Sequence, residues 1–398
     1  MPMIRKPSVP FSASLRLPKV FGRMGSSSPL AKRRCQVHNA PLFGAGAQPG
    51  RMALHIAGRP LGEKYAAQER ITLTRSLFTK IVPAFVLVTA SLAAAAQTEP
   101  IGKRVPAINH NTWTSGTPLP TAVEFAMAAA VTGKIYVVGG VTDTAVLADN
   151  QVYNPIANTW STAAALPLTT FDGGIAVVNG ILYIFGGSQD GSTCTNAVWA
   201  YKPKTNTWSA KAAMQTARCS NYTAVEKNII FVVGGAVPPS DRLNTVESYN
   251  PATNTWTEEA PLLVGKSETS VGLVGTTIVA ADGYTASGDT GDNEGYSATA
   301  NSWKSLASDP TARHEACTGS VGGKLYLAGG SNNSGTSLSL TESFSVTKNK
   351  WTTLASMPKA VTGAGNAVNK GVLYCFGGGD RNSQFQGNVF NYVQIYQP

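Results

Sequence analysis

Three cations recur at almost constant spacing: Arg218, Lys266 and Arg313, 48 and 47 residues apart. Gathered at one concave mouth, they would favour a carboxylate or phosphate, which the two guanidinium groups could grip bidentately. Arg218 and Arg313 also have an internal reading: they could cap backbone carbonyls, or pair with loop acids such as Asp190, Asp241, Asp289 and Asp292. His314 and Glu315 follow Arg313 directly, and a base beside an acid invites general acid–base chemistry. Adjacent residues of a strand point to opposite faces, however, so the two need not cooperate. Asp380 and Arg381 add a charged pair in a long loop near the C-terminus. Trp199, Tyr222, Tyr284 and Phe385 could offer a stacking surface for sugar rings, although Trp199 sits inside a strand and fits packing better.

These residues hang on a repeat. Tryptophans 113, 160, 208, 256, 303 and 351 are spaced by 47, 48, 48, 47 and 48 residues, and each ends an Asn-x-Trp triplet. The same beat carries Gly139-Gly140, Gly186-Gly187, Gly234-Gly235, Asp282-Gly283, Gly329-Gly330 and Gly377-Gly378. Three residues before each pair stand Tyr136, Tyr183, Phe231, Val279, Tyr326 and Tyr374. Seven before five of the tryptophans stand Tyr153, Tyr201, Tyr249, Tyr296 and Phe344. Each unit reads as four short strands. In the second unit, Gly174 to Val178 and Ile181 to Phe185 flank Asn179-Gly180, a two-residue hairpin signal. No segment carries a helical period with caps. Four strands per unit of about 48 residues is the pattern of a propeller blade.

A strand ending in Gly-Gly, then a tyrosine, then a tryptophan resembles the kelch motif. The resemblance covers residues 111–398 and implies an all-β, six-bladed β-propeller. Blade four departs most, with Asp282 and Val279 in place of a glycine and an aromatic. The last unit reaches Tyr396-Gln397-Pro398 without its Asn-x-Trp strand, whereas Asn111-Thr112-Trp113 has no third strand before it. The N-terminal strand is therefore expected to complete the last blade and remove an exposed edge. Kelch proteins often carry arginine at the position of Arg218 and Arg313, pointing toward the channel mouth. Cys194 and Cys219 fall on the same loop face, which makes a disulfide plausible there. Cys317 and Cys375 read instead as buried thiols.

The N-terminal stretch is different. Residues 1–97 hold 14 of the 32 Lys+Arg and only 2 of the 22 Asp+Glu, which leaves the remainder with a formal charge of about −2. The overall +10 thus gives no argument for a nucleic-acid partner. Residues 1–69 read as an unstructured extension or a misassigned start, with an organelle transit peptide as the rival. Residues 70–96 read as a signal peptide: a cationic run, about 12 apolar residues from Ile81, then Ala93 to Ala96. That apolar run is short of the roughly 20 residues a membrane span needs. An uncleaved anchor is the remaining reading. A linker over 97–108 precedes the propeller at 109–398.

The expected function is an exported binding module, monomeric, secreted or periplasmic. It would recognise a glycan, an anionic sugar or a protein on the loop face through Arg218, Lys266, Arg313, His314, Asp380 and Arg381. The enzymatic alternative is a cofactor-independent mutarotase, similar to the sialic-acid mutarotases among exported kelch propellers. Galactose-oxidase-like copper chemistry needs two histidines in a tyrosine–cysteine set. His110 and His314 provide no such set, so neither metal nor cofactor is expected.

Overall fold

The structure, a computed structural model, describes residues 110–239, 241–380 and 387–398. The extension, signal-peptide and linker readings, together with Arg381 and Phe385, lie outside the described residues. Six four-stranded antiparallel sheets form the blades of a β-propeller. In blade two the strands are Gly174–Val178, Ile181–Phe185, Val198–Lys202 and Thr207–Ala210, paired in chain order. The first strands of successive blades adjoin one another all round the ring and wall a central channel. No helix among the described residues is long and apolar enough to cross a membrane.

Each repeated residue does a backbone-level job. Asn179 and Gly180 have φ of 51° and 73°, the left-handed pair a type I′ hairpin turn needs. In five blades the first residue of the pair is a glycine packed against the next blade: a Cβ on Gly139 would run into the Thr170 carbonyl. The Asn of every Asn-x-Trp triplet is also left-handed, from 44° at Asn301 to 58° at Asn254. Asn254 Oδ1 accepts the Tyr249 hydroxyl at 2.6 Å and the Ala212 amide at 2.9 Å. Trp256 Nε1 donates to the Ala212 carbonyl at 2.9 Å, and its ring packs against Tyr249 with centroids 4.9 Å apart. The triplet therefore locks the outer strand of one blade to the loop that leaves the blade before it.

Blade four keeps this geometry without its first glycine. Asp282 holds the same left-handed φ of 58°, and its buried carboxylate lies 3.5 Å from Arg313 Nε. An ion pair to the next blade stands where a bare backbone does elsewhere.

The ring closes between the two ends of the propeller. Thr112–Ser115 pairs antiparallel with Val393–Gln397, with Trp113 opposite Tyr396. Trp113 Nε1 donates to the Ala355 carbonyl at 2.8 Å, as its counterparts do in other blades. Two disulfides join neighbouring blades: Cys194 to Cys219, and Cys317 to Cys375. The second corrects the sequence reading of two free thiols. Both cysteines are 1% exposed, and they face each other from the first strand of blade five and the second strand of blade six, a proximity set by the packing of these two neighbouring blades.

Candidate functional site

Arg218, Lys266 and Arg313 do not reach the channel mouth. Each is 0% exposed; Arg218 and Lys266 are held inside their own blades, and Arg313 also reaches Asp282 of the preceding blade. Arg218 Nη1 donates to the carbonyls of Gly234 at 3.1 Å and Thr245 at 3.0 Å, while Nη2 pairs with Glu247. Lys266 Nζ reaches Ala280 and Asp292 carbonyls, both at 3.2 Å, and Glu294 at 3.2 Å. Arg313 pairs with Glu342, and with Asp309 at 3.1 Å. The internal alternative fits these contacts, but the shared partners are the third-strand acids Glu247, Glu294 and Glu342, joined at Arg313 by Asp309 and Asp282, rather than the loop acids Asp190, Asp241, Asp289 and Asp292.

A co-occurrence within the repeat carried this signal. Blades three, four and five pair a cation with Glu247, Glu294 or Glu342, two residues before the third-strand aromatic. At the equivalent positions, blades one, two and six hold Val123 with Gln151, Thr170 with Trp199, and Val361 with Gln394.

Two residues beyond the cation position the chain turns into the channel. Phe125, Asp172, Ser220, Glu268, Glu315 and Gly363 all take left-handed φ between 52° and 61°. Each amide donates to the carbonyl of the equivalent residue in the preceding blade. The chain of bonds runs Phe125 to Gly363, Asp172 to Phe125, Ser220 to Asp172, Glu268 to Ser220, Glu315 to Glu268 and Gly363 to Glu315, at 2.7–3.2 Å. The circle is closed, and every blade contributes one residue. Above it opens a cavity of about 670 Å³, lined by Phe125, Phe171, Asp172, Arg242, Glu268, Tyr284, His314, Glu315 and the Asn332–Gly335 loop, among others.

This turn brings His314 and Glu315 together. Strand alternation would have separated them, but the left-handed conformation at Glu315, φ 57°, interrupts the strand there. One ligand atom each from His314, Glu315 and Glu268 of the neighbouring blade lie within 4.8 Å of one another. His314 Nδ1 is hydrogen-bonded to Asp289 at 2.7 Å, and its ring meets Tyr284 edge-on at 5.4 Å. The Arg242 guanidinium lies over the Tyr284 ring, 5.1 Å from its centroid, and its buried Nε has no hydrogen-bond partner. Thr362 Oγ1 donates to Glu315 at 2.7 Å, and the Ser220 hydroxyl donates to Asp172.

Burial and mutual repulsion raise the carboxyl pKa values. Glu268 is lifted from 4.5 to about 7, by burial first and then by the Glu315 charge. Burial likewise raises Glu315, and burial together with the Glu268 charge raises Asp172 well above its usual range. For His314, burial opposes the charged form. The Asp289 hydrogen bond and the charges of Glu315, Glu268 and Asp289 outweigh it, and the pKa rises from 6.5 to about 9.

The sign for stability is the same at both groups. The His314 contribution is complete below pH 6.5 and lost as pH rises to about 9. Ionising Glu268 costs nothing below pH 4.5, and the cost is complete above about 7. The folded state thus holds more protons than the unfolded one across this range, so stability falls as pH rises. Melting temperatures measured in chelating buffer from pH 5 to pH 9 are expected to decline, with Glu268→Gln flattening the acidic half of the curve. A rise over the same range would contradict this protonation pattern.

The remaining expected site residues fall elsewhere. Asp380 is exposed and closes the base of its own loop by accepting the Asn388 amide at 2.6 Å. Tyr222 lies in the smaller space of the channel that also contains Gly173 and Asn221, and Trp199 packs against the core cluster shared by blades one and two. Arg242, Glu268, Asp172 and Phe125 were not anticipated. The repeat pointed to three of them, fourteen residues before the first residue of each Gly-Gly or Asp-Gly pair, while Arg242 comes from a short hairpin, Ala236–Val237 with Asp241–Arg242, that has no periodic marker.

Fold and site together define a six-bladed β-propeller that carries a polar, carboxyl-rich cavity at one end of its channel. Residues 127–167, 171–215, 219–263 and 312–358 match the Kelch motif family, and the chain is a kelch-repeat β-propeller. Kelch propellers commonly serve as interaction modules. No curated protein matches the chain.

Proposed function

We propose that the protein is an exported binding module that takes a small, neutral polyhydroxylated ligand, a sugar, into the cavity above the ring of six inter-blade hydrogen bonds. The observation that carries this reading is the make-up of the lining. Carboxyl groups of Asp172, Glu268 and Glu315, the Arg242 guanidinium and the Asn332 and Asn333 amides offer both acceptors and donors in a concave space. Phe125, Phe171 and Tyr284 supply apolar surface for the sugar ring. An acidic sugar fits less well. Glu124, Asp172, Glu268 and Glu315 outnumber the cations Arg242 and His314 in the described lining, and Arg218, Lys266 and Arg313 are turned inward.

Titration of neutral and acidic monosaccharides, followed by ligand-observed NMR, tests the reading. Saturation transfer to neutral sugars, weakened at least tenfold in Arg242→Ala with unchanged melting, is the expected result. Binding confined to acidic sugars, or unaffected by Arg242→Ala, would refute it. The close grouping of Glu268, Glu315 and His314 also supports the enzymatic alternative, proton transfer that opens a sugar hemiacetal. Anomer exchange cross-peaks in the same spectra, accelerated by wild type and absent with Glu268→Gln, would establish that alternative.

A further inference from the structure

We infer that Glu268, His314 and Glu315 form a binding site for one divalent transition-metal cation at the channel mouth. This site stands independently of the sugar reading. Its three groups arrive from two blades: Glu268 from blade four, His314 and Glu315 from blade five. The closed ring of backbone hydrogen bonds fixes the Cα positions of both glutamates. One oxygen from each and one ring nitrogen already lie within 4.8 Å of one another. Bonds of about 2.0–2.2 Å to a common ion would bring these atoms to roughly 3 Å apart. Glutamate torsions can make that movement without shifting the backbone.

Asp289 provides the independent observation. It is 1% exposed, one oxygen holds His314 Nδ1 at 2.7 Å, and the other, Oδ2, is buried without a hydrogen-bond partner. A carboxylate bound to Nδ1 fixes the tautomer and leaves Nε2 as the nitrogen for a ligand, the arrangement by which metal-binding histidines are oriented. Charge points the same way. Among the described residues, Asp172, Glu268, Asp289 and Glu315 converge near Arg242 and the His314 ring, and the Arg242 charge acts on both Asp172 and Glu268. One imidazole nitrogen with two carboxylate oxygens suits Zn²⁺ or Mn²⁺ rather than a thiolate-seeking ion.

The experiment uses the full chain, stripped with chelator and titrated with Zn²⁺ and Mn²⁺ by calorimetry, with metal content read by mass spectrometry after dialysis. The expected result is one equivalent of metal lost on Glu268→Gln, Glu315→Gln or His314→Ala, each variant keeping its fold by circular dichroism. Asp289→Asn should weaken binding 10- to 100-fold rather than abolish it. Ca²⁺ competing equally, with His314→Ala unaffected, would reduce the site to a plain acidic cluster and overturn the inference. So would the absence of binding, or binding that survives every variant, as sites at His38, His55 or Cys35 would.

Discussion

Arg218→Ala is expected to destabilise the propeller by about 3–5 kcal/mol, the usual cost of leaving one partner of a buried ion pair uncompensated. Glu247 would keep its bonds to the Gln215 and Thr216 amides, at 2.9 and 3.2 Å, but would lose the cation paired with it. The carbonyls of Gly234 and Thr245 would lose their side-chain donor. The repeat itself supplies the compensating variant. Blade one carries Val123 and Gln151 in the equivalent places, and the Gln151 side chain accepts the Thr121 amide at 3.1 Å. Arg218→Val combined with Glu247→Gln should therefore recover most of the loss, because no charge remains to desolvate. Urea unfolding of the single and double variants measures this directly. A single variant within about 0.5 kcal/mol of wild type, the range of an ordinary surface change, would show that the pair does not hold the blade.

The second large effect is expected at the seam. Trp113→Ala removes the bond to the Ala355 carbonyl and the packing on Tyr396, whose ring centroid is 5.0 Å away. Large-to-small changes at buried aromatics cost about 3–5 kcal/mol, and Trp113 is half-buried, so about 3 kcal/mol is expected. Removing Asn111 to Ser115 should cost more, because Val393–Gln397 would then present an unpaired strand edge and favour aggregation. Trp199 gives the contrast: it lies outside the periodic series, and its Nε1 is buried with no hydrogen-bond partner. Trp199→Phe should leave stability nearly unchanged. Thermal unfolding of the three variants separates a seam that holds the ring from one that merely frays.

The fold was legible because its markers act on the backbone. A Gly-Gly pair, an Asn ahead of a tryptophan and an Asn-Gly hairpin each demand a particular φ or close approach, so the residue type announces the geometry. Arg218, Lys266 and Arg313 announced only a charge. Whether that charge faces the channel or the blade depends on an acid 28 or 29 residues later, and that partner becomes visible only when the repeats are laid side by side. His314, Glu315 and Glu268 were obscured for another reason. Strand alternation sends neighbours to opposite faces, but the left-handed turn at Glu268 and Glu315 suspends it and directs both into the channel. The link between Cys317 and Cys375 likewise depends on the placement of neighbouring blades, which no local spacing in the sequence records.

The division of labour between buried cations and cavity residues is tested most directly by one affinity comparison. Sugar binding should be measured by NMR titration for wild type, for Arg242→Ala and for the Arg218→Val, Glu247→Gln double variant. The account predicts a dissociation constant raised at least tenfold by Arg242→Ala and unchanged in the double variant. Loss of binding in the double variant, with Arg242→Ala behaving as wild type, would place recognition on the inner cations and contradict the account.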